Sequence, residues 1–87
     1  MQLPTIHLNG SNGQRLLDQY IAAIAVVADA LAALRQIDVN GRDYYVKGPQ
    51  IIGIALDEHQ ARQERLASVL AELEQIAMHI SDQVRRV

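Results

Sequence analysis

Tyr20-Ile21-Ala22-Ala23-Ile24-Ala25-Val26-Val27-Ala28-Asp29-Ala30-Leu31-Ala32-Ala33-Leu34 is the stretch on which the fold turns. It holds one charge, Asp29, and neither glycine nor proline. Alanine and leucine lead the helix propensity scale, so the stretch predicts a helix. One apolar seam runs through Leu17, Ile24, Leu31 and Leu34, with Ile21 and Val27 beside it. A second stripe follows Leu16, Ala23, Val26, Ala30, Ala33 and Ile37. A helix that is apolar nearly all round is buried on several sides. One partner helix cannot cover it, and the alanines let neighbours approach closely. The expectation is self-association.

Upstream, Asn9-Gly10 and Asn12-Gly13 are turn signals. Ser11 followed by Gln14 fits a capping box, with Gln14 reaching back to the Ser11 amide. Gly13 weakens the first turn, so the first helix is placed at residues 12–38. Pro4 bars an earlier start, which leaves residues 1–11 as a short extended arm. Downstream, Asn40-Gly41-Arg42-Asp43-Tyr44-Tyr45-Val46-Lys47-Gly48-Pro49 breaks the helical pattern, giving a loop over residues 39–48. Pro49 suits the first position of a second helix, placed at residues 49–86. Its seam steps through Leu56, His59, Gln63, Leu66, Leu70, Leu73, Ala77, Ile80, Val84 and Val87. From Leu66 onward it is an ordinary heptad stripe. So short a connection joins antiparallel neighbours. The second helix is the longer, and its C-terminal part is expected to overhang.

The fold class expected is therefore all-α: an antiparallel helical hairpin with a short extended N-terminal arm, assembled into a helical homo-oligomer, dimer or tetramer. The chain's 87 residues make a single domain, 49% hydrophobic. A formal net charge of −2 speaks against a nucleic-acid partner. Cysteine is absent, which removes disulfides and thiol chemistry. Residues 1–5 lack the basic and apolar regions of a signal peptide. The run from Tyr20 to Leu34 is shorter than the ~20 residues of a membrane span, so no membrane partner is expected.

Two of the three aromatic residues, Tyr44 and Tyr45, stand side by side in the loop. Beside them are Arg42, Asp43 and Lys47. Tyrosine rings stack on a base, a guanidinium grips phosphate with two parallel bonds, and Lys47 adds a point charge. Gly48 ahead of Pro49 offers backbone amides where anions bind. That combination suits a flat, anionic small molecule. It equally suits a plug, in which the tyrosines close the open end of the hairpin and Arg42 pairs locally.

His59 and Gln63 interrupt the second seam one turn apart, and Asp29 is expected at about the height of His59. The three fit either a polar pocket within the bundle or a solvated Asp and a satisfied interface His. His7 and Asn9 lie on the arm, within reach of a neighbour's loop or merely stapling the helix entry. His79 reads as interfacial or exposed. The histidines show no metal-ligand spacing, and no nucleophile–base pair or phosphate-loop fingerprint is present. The expectation is a non-enzyme without cofactor or metal.

The arm Leu3-Pro4-Thr5-Ile6-His7-Leu8-Asn9-Gly10, with Asn40-Gly41-Arg42-Asp43-Tyr44-Tyr45 and Gly48-Pro49, resembles a family of short phage and prophage proteins. The resemblance covers most of the chain and implies a phage-encoded accessory protein acting in the host bacterial cytoplasm. Small oligomeric phage proteins of similar character include sponges that sequester nucleotide immune signals, ADP-ribose derivatives or cyclic nucleotides. By that analogy Tyr44 and Tyr45 stack on adenine and Arg42 and Lys47 hold pyrophosphate. His7, Asn9 or Asp43 then meet ribose hydroxyls. The alternative is a protein-interaction module that inhibits a host or phage protein through its helical surface. A structural phage component is a third reading.

Overall fold

A computed structural model describes residues 1–6 and 11–85. Two helices, α1 (Ser11–Arg35) and α2 (Ile51–Arg85), pack against each other along their length. Between them lie two single 3-10 turns, Gly41–Asp43 and Tyr45–Lys47. The expected all-helical hairpin is the observed one. Residues 1–6 adopt neither helix nor strand.

The seams named from the sequence face each other. Leu31 is only 4% exposed, and Leu17, Ile24, Val27 and Leu34 are half-buried around it. On α2, Ala77 and Ile80 are buried, with Leu66, Leu70 and Leu73 half-buried between them and the loop. Ile21 and Leu56 lie at the margins and are exposed. Tyr20 and Leu73 line one notch between the helices, and Val84 packs over Gly13. The two pairs place the antiparallel register to within about one turn.

That register differs from the expected one. Stepping from Tyr20 and Leu73 toward the loop at equal rise brings Leu34, not Asp29, level with His59. Asp29 is exposed. The end of α2 reaches only the first turn of α1, so its excess length falls at the loop end instead of the C-terminus. There the second 3-10 turn, Tyr45–Lys47, packs against α2.

Helix α1 stops at Arg35, short of residue 38. The amides of Gln36 and Ile37 bond to the carbonyls of Ala33 and Leu34, three residues back, which tightens the last turn and ends the helix. Helix α2 begins at Ile51, after a turn at Pro49 and Gln50. At the other end, Gln14 Nε2 donates to Asp18 Oδ1 at 2.9 Å instead of reaching back to Ser11. The Ser11 hydroxyl lies outside the described residues, as do Arg86 and Val87.

Residues 4–6 lie against α2. The Ile6 amide donates to Gln83 Oε1 at 2.6 Å, and the Pro4 carbonyl is 2.9 Å from His79 Nε2. Ile6 and Val84 close over Gly13. Ile80 beneath them is the largest fully buried side chain among the described residues.

The hairpin is a rod of 62 × 21 × 13 Å with a radius of gyration of 19.0 Å. A compact chain of this length has a radius near 12 Å. Its surface of 6553 Å² exceeds the roughly 5,100 Å² typical of a folded monomer of this mass. Much of the excess is apolar. Of the second stripe, Ala23, Val26, Ala30 and Ala33 on α1 and Ile37 just past its end are exposed, while Leu16 is half-buried. The stretch Asn12–Arg35 is long and apolar enough to cross a membrane, and only 6% of its most apolar window is buried in the hairpin.

Candidate functional site

Asn40 organises the loop. Its Oδ1 accepts from the Arg42 amide at 3.0 Å, and its Nδ2 donates to Asp38 Oδ2 at 3.2 Å. An Asn that bonds two residues ahead mimics a backbone turn, which starts the first 3-10 turn. The Tyr44 amide closes it on Gly41 O at 3.1 Å. The second turn closes through Lys47 and Gly48, whose amides reach Tyr44 O and Tyr45 O at 3.0 and 3.2 Å. Gly48 has φ 106° and ψ 157°. Only glycine occupies that region readily, and the extended ψ suits the residue before Pro49. Gly41 has no such need, since its φ is not positive.

Consecutive tight turns send the two tyrosines to different places. Tyr44 is half-buried and lines a cleft of ≈ 160 Å³ with Ala55, Glu58 and Arg62 of α2. Tyr45 is 76% exposed. Arg42, Asp43 and Lys47 are exposed around it. The cleft is therefore bounded by one phenol ring and one guanidinium, that of Arg62, while Tyr45, Arg42 and Lys47, Tyr44's neighbours in sequence, are exposed outside it.

Arg62 and Glu58 were not among the expected site residues. Their side chains approach at 3.7 Å one turn apart, and both are more than half exposed. An exposed pair of this kind contributes ~0–1 kcal/mol, so an incoming anion could redirect Arg62 at small cost. The available signal was spacing alone: Ala55, Glu58 and Arg62 share one face of α2, with the small Ala55 leaving room for a ring.

His59 is 8% exposed, and its Nε2 has no hydrogen-bond partner. It neighbours the cleft residue Glu58 in sequence but does not line the cleft. Gln63 is half-buried one turn on. His7 and Asn9 lie outside the described residues. Among the described residues no group of three or more His, Asp or Glu is placed to hold a metal ion.

A second, shallower notch of ≈ 220 Å³ opens midway along the hairpin, lined by Gln19, Tyr20, Ala23 and Leu73. Its walls are largely aliphatic. No family model matches the chain, and no curated protein or solved structure matches it.

Proposed function

We propose that the protein is a non-catalytic binder of a flat, anionic, nucleotide-derived small molecule, held at the loop end of an assembled hairpin. The observation that carries this reading is the Tyr45 ring, 76% exposed beside exposed Arg42 and Lys47 and next to the Tyr44–Arg62 cleft. A plug would have buried both rings. A stacking face flanked by cations suits a base and its phosphates. The cleft alone, at ≈ 160 Å³, takes a phosphate or a ribose; whole ligands occupy pockets of roughly 300–1,000 Å³. A second chain is needed to complete the site, and the uncovered apolar stripe of α1 supports its presence. Glu58 is the group an anionic ligand must displace from Arg62.

The resemblance to short phage proteins gives this binding a purpose: sequestering an immune signal, of ADP-ribose or cyclic-nucleotide type, from a bacterial defence effector in the host cytoplasm. Residues 4–6 act as a strap over α2. Calorimetry with ADP-ribose derivatives and cyclic dinucleotides tests the reading. Heat of binding that disappears in Tyr44→Ala, Arg42→Ala and Arg62→Ala is the expected result. Absence of heat with every ligand overturns it, and cleavage of the bound ligand replaces sequestration with catalysis.

A second reading, an inhibitory protein-interaction module, is favoured by the exposure of Asn12–Arg35. It predicts a stoichiometric protein partner in pull-downs and loop variants that stay active. A lipid bilayer is a poorer cover for the same helix. Helix α2 packs along α1 and would carry Glu64, Arg65, Glu72 and Glu74 with it, and charges inside a membrane cost several kcal/mol each.

A further inference from the structure

The outward stripe of α1 and the mid-hairpin notch are complementary to each other. Gln19, Ala23, Val26, Ala30 and Ala33 recur at alternating steps of four and three, the spacing of a helix seam that receives a second helix. Val26, 68% exposed, is the most prominent aliphatic knob on α1. The notch beside Gln19 and Ala23 is the matching hole, with Leu73 of α2 as its far wall. Val26 is seven residues from Gln19, the N-terminal edge of the hole on the same helix. A two-fold axis between Ala22 and Ala23 therefore seats each Val26 in the other copy's notch.

The charges select the same arrangement. Arg15, Ala22 and Asp29 form a heptad row next to the seam, all exposed. Neither Arg15 nor Asp29 makes an ion pair within the chain among the described residues. Ala22 is their midpoint, so the axis that seats Val26 also sets each Arg15 opposite the second copy's Asp29. A parallel pairing would carry the two copies of this row to opposite sides of the seam and leave Arg15 and Asp29 unpaired with each other.

The area is sufficient. The rod exposes about 1,500 Å² more than a folded monomer of its mass, and a stable interface removes roughly 800 Å² from each partner. The geometry points to an antiparallel homodimer through α1, centred on Ala22 and Ala23, with Val26 in the reciprocal notch and Arg15 facing Asp29. The inference rests on the assembly half of the reading above and is independent of any ligand. It sets the loop of each copy at the same end of the dimer as the first turn of the other's α1.

The chain has no cysteine, so single introduced thiols report the register cleanly. Oxidation of Ala22→Cys is expected to give a covalent dimer in high yield. Ala33→Cys is expected to give little, because its two copies lie roughly 30 Å apart along the axis at 1.5 Å per residue. Sedimentation of the unmodified chain is expected to give twice 9.6 kDa. Val26→Glu should weaken the dimer roughly hundredfold, since two desolvated knobs are lost. Arg15→Asp and Asp29→Arg should each weaken it about tenfold, and the double reversal should restore it. A helical monomer at tens of micromolar, equal cross-linking at Ala33→Cys, or failure of the double reversal to restore pairing would each overturn the inference. A dimer that binds no nucleotide overturns the ligand reading alone.

Discussion

Gly13 lies so close to Ile6 that a β-carbon on it would stand 2.7 Å from Ile6 Cγ2, with Val84 Cγ2 at 3.0 Å on the other side. The glycine weakens the helix start in isolation. In the hairpin it is what lets residues 4–6 and the end of α2 meet over α1. Gly13→Ala brings a helix-propensity gain of up to ~1 kcal/mol and an overpacking cost of about 1–3 kcal/mol. The net expectation is destabilisation by about 1 kcal/mol in urea melts. In an Ile6→Ala background about half of that penalty should vanish, since one of the two obstructions is gone. Equal penalties in both backgrounds would mean that Ile6 is not the obstacle.

Gly48 and Gly41 form an internal control. Gly48, at φ 106°, is in a region that L-residues enter at a cost of about 1–3 kcal/mol. Gly41 has ordinary backbone and nothing within 4 Å of where its β-carbon would be. Gly48→Ala should lower the melting temperature by several degrees, and Gly41→Ala should leave it unchanged within error. Similar shifts for both would show that the turn before Pro49 is not held at positive φ.

The two helices and their facing seams were legible in the sequence because alanine content, heptad spacing and the Gly48–Pro49 break all act locally. The antiparallel register was not. It depends on residues more than fifty positions apart, Tyr20 and Leu73 across one notch and Val84 over Gly13, and the expected height of Asp29 was off by about five residues or more relative to His59. The loop was recognised as a concentration of rings and cations. Its two tight turns follow from the Asn40 side chain acting as a cap, and they separate Tyr44 from Tyr45, which adjacency in sequence had suggested would act together. Arg62 joins the cleft only because α2 runs past the loop, and nothing local marks it. His79, expected as a bland interface residue, meets Pro4 across seventy-five positions.

Gln83 holds residues 4–6 through the Ile6 amide, and His79 Nε2 stands within reach of both the Gln83 amide and the Pro4 carbonyl. Gln83 Oε1 is committed to the Ile6 amide, so its Nε2, 2.6 Å from His79 Nε2, donates and the ring nitrogen accepts. One ring nitrogen cannot accept from Gln83 and donate to the Pro4 carbonyl at once. Neutral His79 is therefore expected as the Nδ1–H tautomer, visible in its ring nitrogen shifts. Gln83→Leu should move the proton to Nε2, where it bonds to Pro4 O. The same change should make the Ile6 amide exchange roughly fivefold faster, the loss of one ~1 kcal/mol hydrogen bond. Unchanged exchange would show that Gln83 does not hold this segment.

His59 carries an imidazole nitrogen that is buried without a partner. Desolvation without compensation costs about 1–3 kcal/mol, and an aliphatic side chain of similar size removes that cost while keeping the packing. His59→Leu is accordingly expected to raise the urea midpoint, corresponding to about 1 kcal/mol of added stability. His59→Asn keeps a polar group in the same place and should bring no gain. Because His59 does not line the Tyr44 cleft, neither change is expected to alter ligand binding at the loop. If His59→Leu instead destabilises the hairpin or abolishes binding while the helices stay folded, the imidazole has a partner in the assembled protein, and the buried nitrogen belongs to the site.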